Sequence, residues 1–590
     1  MPGSSPRRRR PDPPSSSSAR PGWALARWLL IALLVLFAVQ AISAVRTKSA
    51  TWDEVNYFGM GDYLLRNGRW DVPSAVIHPP LAYYLDSIPL LAAPLDRNVW
   101  NYPSTMRRDL AFLGAADSNR GQALLSSPAN NDDRLLTLSR LMVVLQALLL
   151  GVFVYRFGSA AFGQSAGIAA AAFFAFCPNM LAHGALITPD MTVTVFFFVT
   201  VYSFRAALLG RRPRDFVLAG IYLGLALLSK FTAVLLIPIE AAMIVAAVVT
   251  RPRSEPQAGT TNDVRPAGRS DVAASVKTRV AHRTGTGRET HVQGTAAPAA
   301  LAKWLIVSFA CAALVFLAAY RFNPAPYFEG LSVQGLHGAE GHTGFLLGQL
   351  SKDGWWYYCL VAFVLKTPIP LFLCFVAALA LLVRDVVVSR RLSFDAVSLW
   401  LPIVVVFAFF SIELRPIGLR YLLPAYPFIF VLAAGALLRF PASRYLSAVV
   451  LAWFVLSSAL AWPHYLAYFN ETIGADNRYQ YLVDSNLDWG QDLKGLKQYM
   501  DSHGIDRINL SYFGLDSPAR YGIRYDWLPS YELKNPNPRE TIQLRRGEYV
   551  AISVTNLQGV YMQPPTMFRW LDRYTPIARI GHTIFIYRLE

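Results

Sequence analysis

Long apolar runs alternate along the chain with shorter polar segments, and these runs are long enough to cross a membrane. A transmembrane helix needs about 20 mostly apolar residues, with some tolerance for tilt. The pattern predicts eleven spans, which include a short pair between 216 and 250. They lie at 23–45, 135–156, 163–187, 190–208, 216–231, 232–250, 303–320, 357–383, 396–412, 419–438 and 445–463.

The basic residues between these spans predict which loops face the cytoplasm. With a cytoplasmic N-terminus, four arginine clusters all fall on the inner side, as the positive-inside rule requires. These clusters are Arg205/Arg211/Arg212/Arg214, Arg251/Arg253, Arg384/Arg390/Arg391 and Arg439/Arg444. The run 23–45 is too long for the apolar region of a signal peptide, so we interpret it as an uncleaved first helix.

This topology divides the chain into five parts. The segment after 463 changes to mixed α/β patterning, with a helix near Trp489–Ser502 and an apolar alternating run at Arg507–Phe513. Later strands are predicted at Tyr549–Thr555 and Thr583–Leu589. The parts are a disordered cytoplasmic tail (1–22), an N-terminal transmembrane catalytic module (23–250) with the outer loop 46–134, a disordered cytoplasmic insertion (251–302), a C-terminal transmembrane module (303–463) and an exported α/β domain (464–590).

Composition agrees with an integral membrane protein. Of 590 residues, 54% are hydrophobic and 16% are charged. The formal net charge of +17 comes from clusters beside apolar runs and no nucleic-acid recognition motif accompanies it, so we expect no nucleic-acid partner. The four cysteines have no metal-ligand spacing and fit small core residues.

The first outer loop carries the most informative polar residues. Asp53 and Glu54 follow the first span directly, beside aromatic residues, and His78 precedes two prolines that stiffen the backbone. Carboxylates at a membrane exit are costly to keep, so they indicate chemistry at the membrane surface. The alternative is an interfacial helix whose carboxylates face water.

A second polar group joins the third and fourth spans. Asp190 starts the fourth span, where it either serves a site or only favours the positive end of the helix dipole. His183 precedes it on an apolar face, where a core role is commoner than a functional one. Lys230 lies in an apolar segment, so it either binds a lipid phosphate or extends to a headgroup.

Aromatic and basic residues mark the later outer segments. Trp355 and Trp356 are able to stack on a sugar, although an aromatic belt at the interface explains them equally well. Arg415 and Arg420 fall on the outer side, against the positive-inside trend. Guanidinium groups there indicate binding of an anionic lipid headgroup.

The motifs together resemble a known family. The chain is similar to polyprenyl-phosphate-sugar-dependent glycosyltransferases with the C-type membrane fold, and most of all to bacterial relatives of the protein O-mannosyltransferases. The matching motifs follow one order along the chain: Trp52-Asp-Glu, His78-Pro-Pro-Leu, Leu181-Ala-His, Thr188-Pro-Asp-Met, Leu227-Leu-Ser-Lys-Phe-Thr, Gly354-Trp-Trp-Tyr-Tyr, Lys366-Thr-Pro, Gly418-Leu-Arg-Tyr-Leu-Leu-Pro and Asp484-Ser-Asn-Leu-Asp-Trp-Gly-Gln-Asp.

The resemblance implies sugar transfer from a polyprenyl-phosphate donor to a hydroxyl of a protein, lipid or glycan acceptor, on the outer face of the inner or plasma membrane. The sugar would be mannose or a similar hexose or pentose. Asp53 matches the family's catalytic base. Glu54, its neighbour in the catalytic pair, and His78 are assigned to orienting the acceptor or the sugar. Relatives often have His after the Arg where this chain has Arg420-Tyr421, so only Arg420 is assigned to phosphate, together with Lys230.

Three matters stay open at this point. We expect no cofactor and no essential metal, although Asp190 and Asp53 could hold a divalent cation as in some metal-dependent relatives. A lipid-linked-sugar transporter or flippase is the alternative function, but it predicts charges near the bilayer midplane in paired halves. The segment Asp484–Asp492 either contacts the acceptor or only caps and packs the following helix.

Overall fold

The computed structural model describes residues 21–70, 73–96, 115–249, 298–339, 343–413, 417–439, 443–531 and 544–590. The predicted N-terminal tail, nearly all of the predicted insertion 251–302, and Arg415 lie outside these ranges. What was expected of them therefore stays a prediction.

The described part of the chain is mainly helical. The first half contains α1 (Pro21–Arg46), α2 (Trp52–Tyr57), α3 (Met60–Asn67), α4 (Pro73–Ile77), α5 (Leu81–Asp86), α6 (Ile88–Leu91), α7 (Ala115–Ser126), α8 (Asp132–Phe162), α9 (Gln164–Ala175), α10 (Pro178–His183), α11 (Pro189–Gly210), α12 (Pro213–Leu227) and α13 (Leu236–Val249). The second half contains α14 (Pro298–Ala319), α15 (Ala325–Ala339), α16 (Tyr358–Lys366), α17 (Ile369–Ser389), α18 (Phe394–Ile412), α19 (Tyr426–Leu437), α20 (Ser443–Ala461), α21 (Leu493–Ser502) and α22 (Val554–Leu557).

Nine helical segments in the described ranges are long and apolar enough to cross a membrane. They coincide with nine of the eleven predicted spans, so a multi-pass membrane protein is confirmed. The other two predicted spans correspond to shorter helices: α9 has 12 residues and ends before Pro178, and α12 has 15 residues. The predicted span 357–383, which overlaps α17, is divided into two helices, because Thr367 and Pro368 separate α16 from α17.

Burial separates central membrane helices from peripheral ones. In the most apolar window of α11, 78% of residues are buried, and the value is 89% for the segment Leu419–Leu437 that contains α19. The corresponding share is only 11% for α14 and 17% for α17. Phe198 and Phe428 pack ring against ring at 4.8 Å where α11 and α19 meet. These two helices therefore form the buried centre of the membrane domain.

Helix breaks on one side of the bundle bring polar residues to helix ends. Pro189 occupies the first turn of α11 and leaves Asp190 beside it, at the end of the helix where negative charge is favoured. A 3₁₀ helix at Leu419–Ala425 precedes α19 and carries Arg420. Another, at Phe231–Leu235, precedes α13 and follows Lys230.

The C-terminal domain contains the predicted mixed α/β structure. Its five strands are β3 (Arg507–Ser511), β4 (Arg524–Trp527), β5 (Tyr549–Ser553), β6 (Ala578–Ile580) and β7 (Ile584–Arg588), while a separate hairpin in the membrane half contains β1 (Gly344–Leu346) and β2 (Gln349–Ser351). The order is β4-β3-β5-β7-β6, with β3 parallel to β4 and β5, and β7 antiparallel to β5 and β6. The helix α21 and strands β3, β5 and β7 confirm the sequence predictions, whereas β4 and β6 were not predicted.

The domain is bonded to the segment that follows α1. Ser49 N donates to Gln491 O at 2.9 Å, and Trp52 N donates to Trp489 O at 2.9 Å. Lys48 Nζ forms a buried ion pair with Asp492 at 2.6 Å. These bonds hold the start of α2 against the segment that leads into α21.

Candidate active site

The first polar turn of α2 is fixed by a capping arrangement. Thr51 precedes the helix, and its backbone N and side-chain Oγ1 both donate to Glu54 Oε2, at 2.9 and 3.1 Å. The next residue, Trp52, is bonded to Trp489 as described above. Asp53 is thereby placed on the first turn of a short helix that is held at both its own cap and its neighbouring segment.

Glu54 is saturated by neighbouring donors. Its side chain is fully buried and accepts two bonds from Arg140 of α8, from Nε at 2.8 Å and from Nη2 at 2.6 Å. Ile187 N adds a third contact at 3.1 Å. With Thr51 on the remaining positions, this carboxylate has no acceptor position left for a substrate, and its contacts tie α2 to α8.

Asp53 has different partners from Glu54. It is the first of four side chains with alternating charge that contact one another in a row. Arg420 Nη1 donates to Asp53 Oδ2, and the same nitrogen lies 3.7 Å from Asp190 Oδ2. Lys230 Nζ donates to Asp190 Oδ1 at 2.6 Å. Two carboxylates and two cations thus alternate in the order Asp53, Arg420, Asp190, Lys230, and we call these four residues the charge chain.

The side chains of the charge chain differ in how far they are exposed to solvent. The side chains of Asp53 and Arg420 each keep 12% of their surface exposed, whereas that of Asp190 keeps 1%. Lys230 keeps 9% exposed, so Asp190 is the member of the charge chain that is almost completely closed to solvent.

Aromatic rings hold the two cations in place. Lys230 Nζ lies 4.9 Å from the ring centre of Tyr421, and Arg420 Cζ lies 4.5 Å from that of Trp489. Trp489 comes from the segment leading into α21, which the sequence left open between acceptor contact and a capping role. No local pattern could have placed this tryptophan on Arg420, because their contact depends on how the C-terminal domain docks.

Four buried polar atoms around the charge chain have no hydrogen-bond partner among the described residues. They are Asp190 Oδ2, Arg420 Nε, His78 Nδ1 and His183 Nδ1. Buried polar groups are normally satisfied, since leaving one unpaired costs about 1–3 kcal/mol. Arg420 Nε is an unpaired donor, and the histidine nitrogens can donate or accept, so these atoms offer hydrogen bonds to a polar ligand beside the two cations.

Both histidines lie beside the charge chain. The ring of His78 meets Tyr57 edge-on at 5.5 Å. The pKa of His78 is lowered to about 3, first by burial and then by the positive charges of Lys230 and Arg420, while Asp190 acts in the opposite direction. His78 is therefore neutral at physiological pH and able to donate one hydrogen bond and accept another.

His183 ends α10 and is 3% exposed, with its ring 6.3 Å from that of Trp489. The sequence left this residue open between a core role and a functional one. Its unpaired Nδ1 and its place beside Trp489 put it in the wall of the site.

The remaining predicted residues are less closely connected. Trp356 is 62% exposed and meets Tyr357 edge-on, while Trp355 stacks on Tyr358 at 6.5 Å. Within the described ranges, neither tryptophan makes a hydrogen bond or ring contact with the charge chain. Arg415 falls in the gap between 413 and 417, outside the described residues.

Asp484 is a further carboxylate near this site. Its Oδ2 accepts from Tyr561 Oη at 2.5 Å. Burial raises its pKa to about 6, and the negative charge of Asp53 raises it as well, while the hydrogen bonds from Tyr561 and Ser485 and the charge of Arg420 lower it. From the sequence, Asp484 belongs to a segment that either contacts the acceptor or only caps and packs the following helix.

Within the described ranges, no group of three or more His, Cys, Asp or Glu side chains is arranged to hold a metal ion. The positive charge that the described residues bring to this site is that of Lys230 and Arg420.

Residues 135–256 match the family model described as dolichyl-phosphate-mannose-protein mannosyltransferase. The match confirms, over this segment, the resemblance inferred from the motifs. It covers less than half of the chain and includes Arg140, Asp190 and Lys230, but neither Asp53 nor Arg420. No curated protein sequence matches the chain.

Solved membrane enzymes show a distant structural likeness. ArnT from Cupriavidus metallidurans bound to undecaprenyl phosphate is 13% identical, with a TM-score of 0.46, covering 96% of this chain and 98% of that one. The Archaeoglobus fulgidus oligosaccharyltransferase in its apo form is 14% identical, with a TM-score of 0.43, covering 74% and 54%. AglB from the same organism, in complex with an inhibitory peptide and a dolichol-phosphate, is 14% identical, with a TM-score of 0.42, covering 85% and 65%. At this level, the likeness says nothing about individual residues.

The helices and the buried charge chain define a multi-pass membrane protein with a polar site at helix ends. Its segment 135–256 is similar to dolichyl-phosphate-mannose-protein mannosyltransferases.

Proposed function

We propose that this protein is a membrane glycosyltransferase that moves a sugar from a polyprenyl-phosphate donor to a hydroxyl of an acceptor. The observation that carries the proposal is the charge chain, in which Lys230 and Arg420 converge among unpaired polar atoms. Two fixed cations, one of which keeps an unpaired Nε donor, suit a phosphate group. The match of residues 135–256 to a lipid-phosphate-dependent family supports the same donor class.

The proposed reaction is a single displacement at the anomeric carbon. The acceptor oxygen forms a bond to that carbon and gives its proton to Asp53. The bond between the anomeric carbon and the phosphate oxygen breaks, and its electron pair stays on the departing polyprenyl phosphate. One displacement inverts the anomeric configuration, because the acceptor attacks opposite the leaving group.

Lys230 and Arg420 stabilise the leaving phosphate in this scheme. Negative charge accumulates on the phosphate oxygen as the bond breaks, and cations already fixed in place lower the barrier without further reorganisation. Asp190 holds Lys230 in position through the bond at 2.6 Å. Neutral His78 is available to orient a sugar hydroxyl or a phosphate oxygen.

Glu54 has a different role from the catalytic one suggested by the sequence. We assign it to positioning, because Arg140, Thr51 and Ile187 occupy its carboxylate. Asp53 is then the residue of the pair that performs chemistry, and Glu54 fixes the helix that carries it.

We place the site at the outer face of the inner or plasma membrane. The placement rests on the arginine clusters of the loops, which predict a cytoplasmic N-terminus and an exported C-terminal domain. Reactions on exported acceptors require the donor sugar on that side.

Detergent-solubilised protein separates an enzyme from a flippase. The assay supplies polyprenyl phosphate carrying radiolabelled mannose, glucose or arabinose, with glycoside and peptide acceptors, and measures labelled product or released sugar. A transferase turns over donor without a membrane barrier. A flippase leaves every donor intact in detergent but moves it across a bilayer after reconstitution, and that result would contradict the proposal.

A further inference from the structure

Asp484 differs from the other carboxylates around the site because it has no cation partner. Within the described ranges, no Lys or Arg lies within ion-pair distance of it. Its hydrogen bonds come from Tyr561 Oη to Oδ2 and from Ser485 N to Oδ1, each at 2.5 Å. A carboxylate offers about four acceptor positions, so two remain available for a ligand.

Asp484 also belongs to the immediate surroundings of the charge chain. Ser485 Oγ donates to Ile417 O at 2.6 Å and Leu419 N donates to Asn486 Oδ1 at 2.9 Å, so the residues that follow Asp484 are bonded to those that precede Arg420. The Asp484 residue is only partly buried, whereas Asp190 is almost completely buried. Asp484 therefore lies on the accessible side of the proposed base.

Four aromatic rings lie between the first turn of α2 and Asp484. Trp52, the residue before Asp53, stacks on Phe513 at 5.1 Å and on Tyr531 at 5.3 Å. Tyr531 stacks on Tyr561 at 4.4 Å, and Phe513 lies 5.7 Å from Tyr561. The planes differ by 10–26° in these pairs, so the rings are nearly parallel.

The accessible rings of this group come from both parts of the protein. Trp52 belongs to α2, while Tyr531 and Tyr561 belong to the C-terminal domain, and all three are partly exposed. Phe513 is buried behind them. The junction of the two parts therefore presents aromatic surface beside a carboxylate with free acceptor positions.

We propose that Asp484, Tyr561 and Trp52 form the acceptor subsite, and that the acceptor group bound there is a sugar. The inference rests on the proposed transfer reaction and names the acceptor class for that same site. Asp484 accepts hydrogen bonds from sugar hydroxyls, and the aromatic surface takes the C–H face of the ring. Trp52 directly precedes Asp53 on α2, so this surface adjoins the helical turn that carries the proposed base.

A sugar fits these features better than a serine or threonine side chain does. A single short hydroxyl side chain needs one acceptor, which Asp53 supplies as the base. An additional carboxylate and several aromatic rings suit a ligand with many hydroxyls and an apolar face. A peptide acceptor is the contrary outcome of the test.

The test measures transfer by the full-length purified protein to octyl glycosides and to a Ser/Thr-rich peptide, with the labelled donors described above. The variants are Asp484→Ala, Asp484→Asn and Tyr561→Phe, and Asp501→Asn on the exposed face of α21 is the matched control. Hydrolysis of donor by water, measured without acceptor, reports on the base and phosphate site alone. Ligand-observed NMR with methyl glycosides reports on sugar binding without turnover.

We expect Asp484→Ala to raise the KM for the glycoside about 10- to 100-fold, the loss expected for a hydrogen bond to a charged group. Donor KM and donor hydrolysis change much less than the glycoside KM in Asp484→Ala, and Asp501→Asn leaves all three at wild-type values. Tyr561→Phe raises glycoside KM less, because it removes the bond that orients Asp484.

Three results would overturn the inference. Glycoside KM unchanged in Asp484→Ala excludes a contact, and a parallel loss of transfer and donor hydrolysis shows a structural role. Transfer to the peptide but to no glycoside removes the sugar assignment. Glycoside binding that depends on Asp484 in a protein without any donor turnover would instead keep the subsite and reject the transfer reaction.

Discussion

Arg420 donates a hydrogen bond to Asp53, so the residue proposed as base is paired with the residue proposed to bind phosphate. Arg420 also lies 3.7 Å from Asp190, whose other oxygen is bonded to Lys230. A donor phosphate would compete with Asp53 for the guanidinium. We infer that donor binding frees Asp53, which would make acceptor activation depend on the donor.

Removing Arg420 therefore has two opposed effects. In Arg420→Ala, Asp53 loses its partner but the leaving phosphate loses a cation, and the second effect dominates the rate. We expect kcat to fall roughly 100- to 1,000-fold, the range for loss of one preorganised electrostatic contact. Steady-state kinetics with labelled donor measure it, and a kcat within threefold of wild type would exclude a phosphate role.

The Glu54–Arg140 pair is expected to support the fold. Arg140→Ala leaves a buried carboxylate without its cation, which costs roughly 3–5 kcal/mol. The variant should unfold at a clearly lower temperature and lose activity along with the folded state. Glu54→Gln should show the same order of effects.

Thermal unfolding followed by size-exclusion chromatography distinguishes the two roles of Glu54. If Glu54→Gln keeps the wild-type unfolding temperature but has no transfer activity, then Glu54 is catalytic, as the sequence suggested. If Arg140→Ala is as stable as wild type, the pair does not anchor α2.

Acidic pH should weaken acceptor binding through Asp484. Burial raises the pKa of this carboxyl to about 6, so it is charged above that pH and protonated below it. The charged form accepts hydrogen bonds from the acceptor more strongly. Glycoside KM should therefore increase as pH falls from about 7 to 5, and Asp484→Asn should remove this dependence. An identical pH profile in wild type and variant would contradict the assignment.

Catalysis should not require a metal ion, because Lys230 and Arg420 already supply two positive charges for the phosphate. Treatment with EDTA followed by desalting should leave the rate within about twofold of the untreated protein. Loss of activity that added Mg²⁺ or Mn²⁺ restores would show that a cation acts at the site. Asp190→Asn would then be tested for loss of the metal response.

The sequence predicted the membrane part well because long apolar runs have few structural alternatives. It misjudged segments where apolar composition continues across a helix break, as at Pro178 and at Thr367–Pro368. In the C-terminal domain it missed β4 and β6, which are only four and three residues long.

Side-chain pairing was less accessible from the sequence. Asp53 and Glu54 are adjacent and chemically similar, but they have different partners. Glu54 is bonded to Arg140 of α8, and Asp53 is bonded to Arg420 of the 3₁₀ helix Leu419–Ala425. Asp53 and Arg420 are 367 positions apart, and no local pattern specifies their contact. Trp489 and Asp484 reach the site for the same reason.

The most direct measurement of the central claim is sugar transfer by Asp53→Asn, with Asp501→Asn as the control. The substitution keeps the shape of the side chain and removes its ability to accept a proton. We predict a folded protein whose transfer rate from labelled polyprenyl-phosphate donor is reduced about 100- to 10,000-fold, as for loss of a general base. Transfer at the wild-type rate by Asp53→Asn would contradict the account.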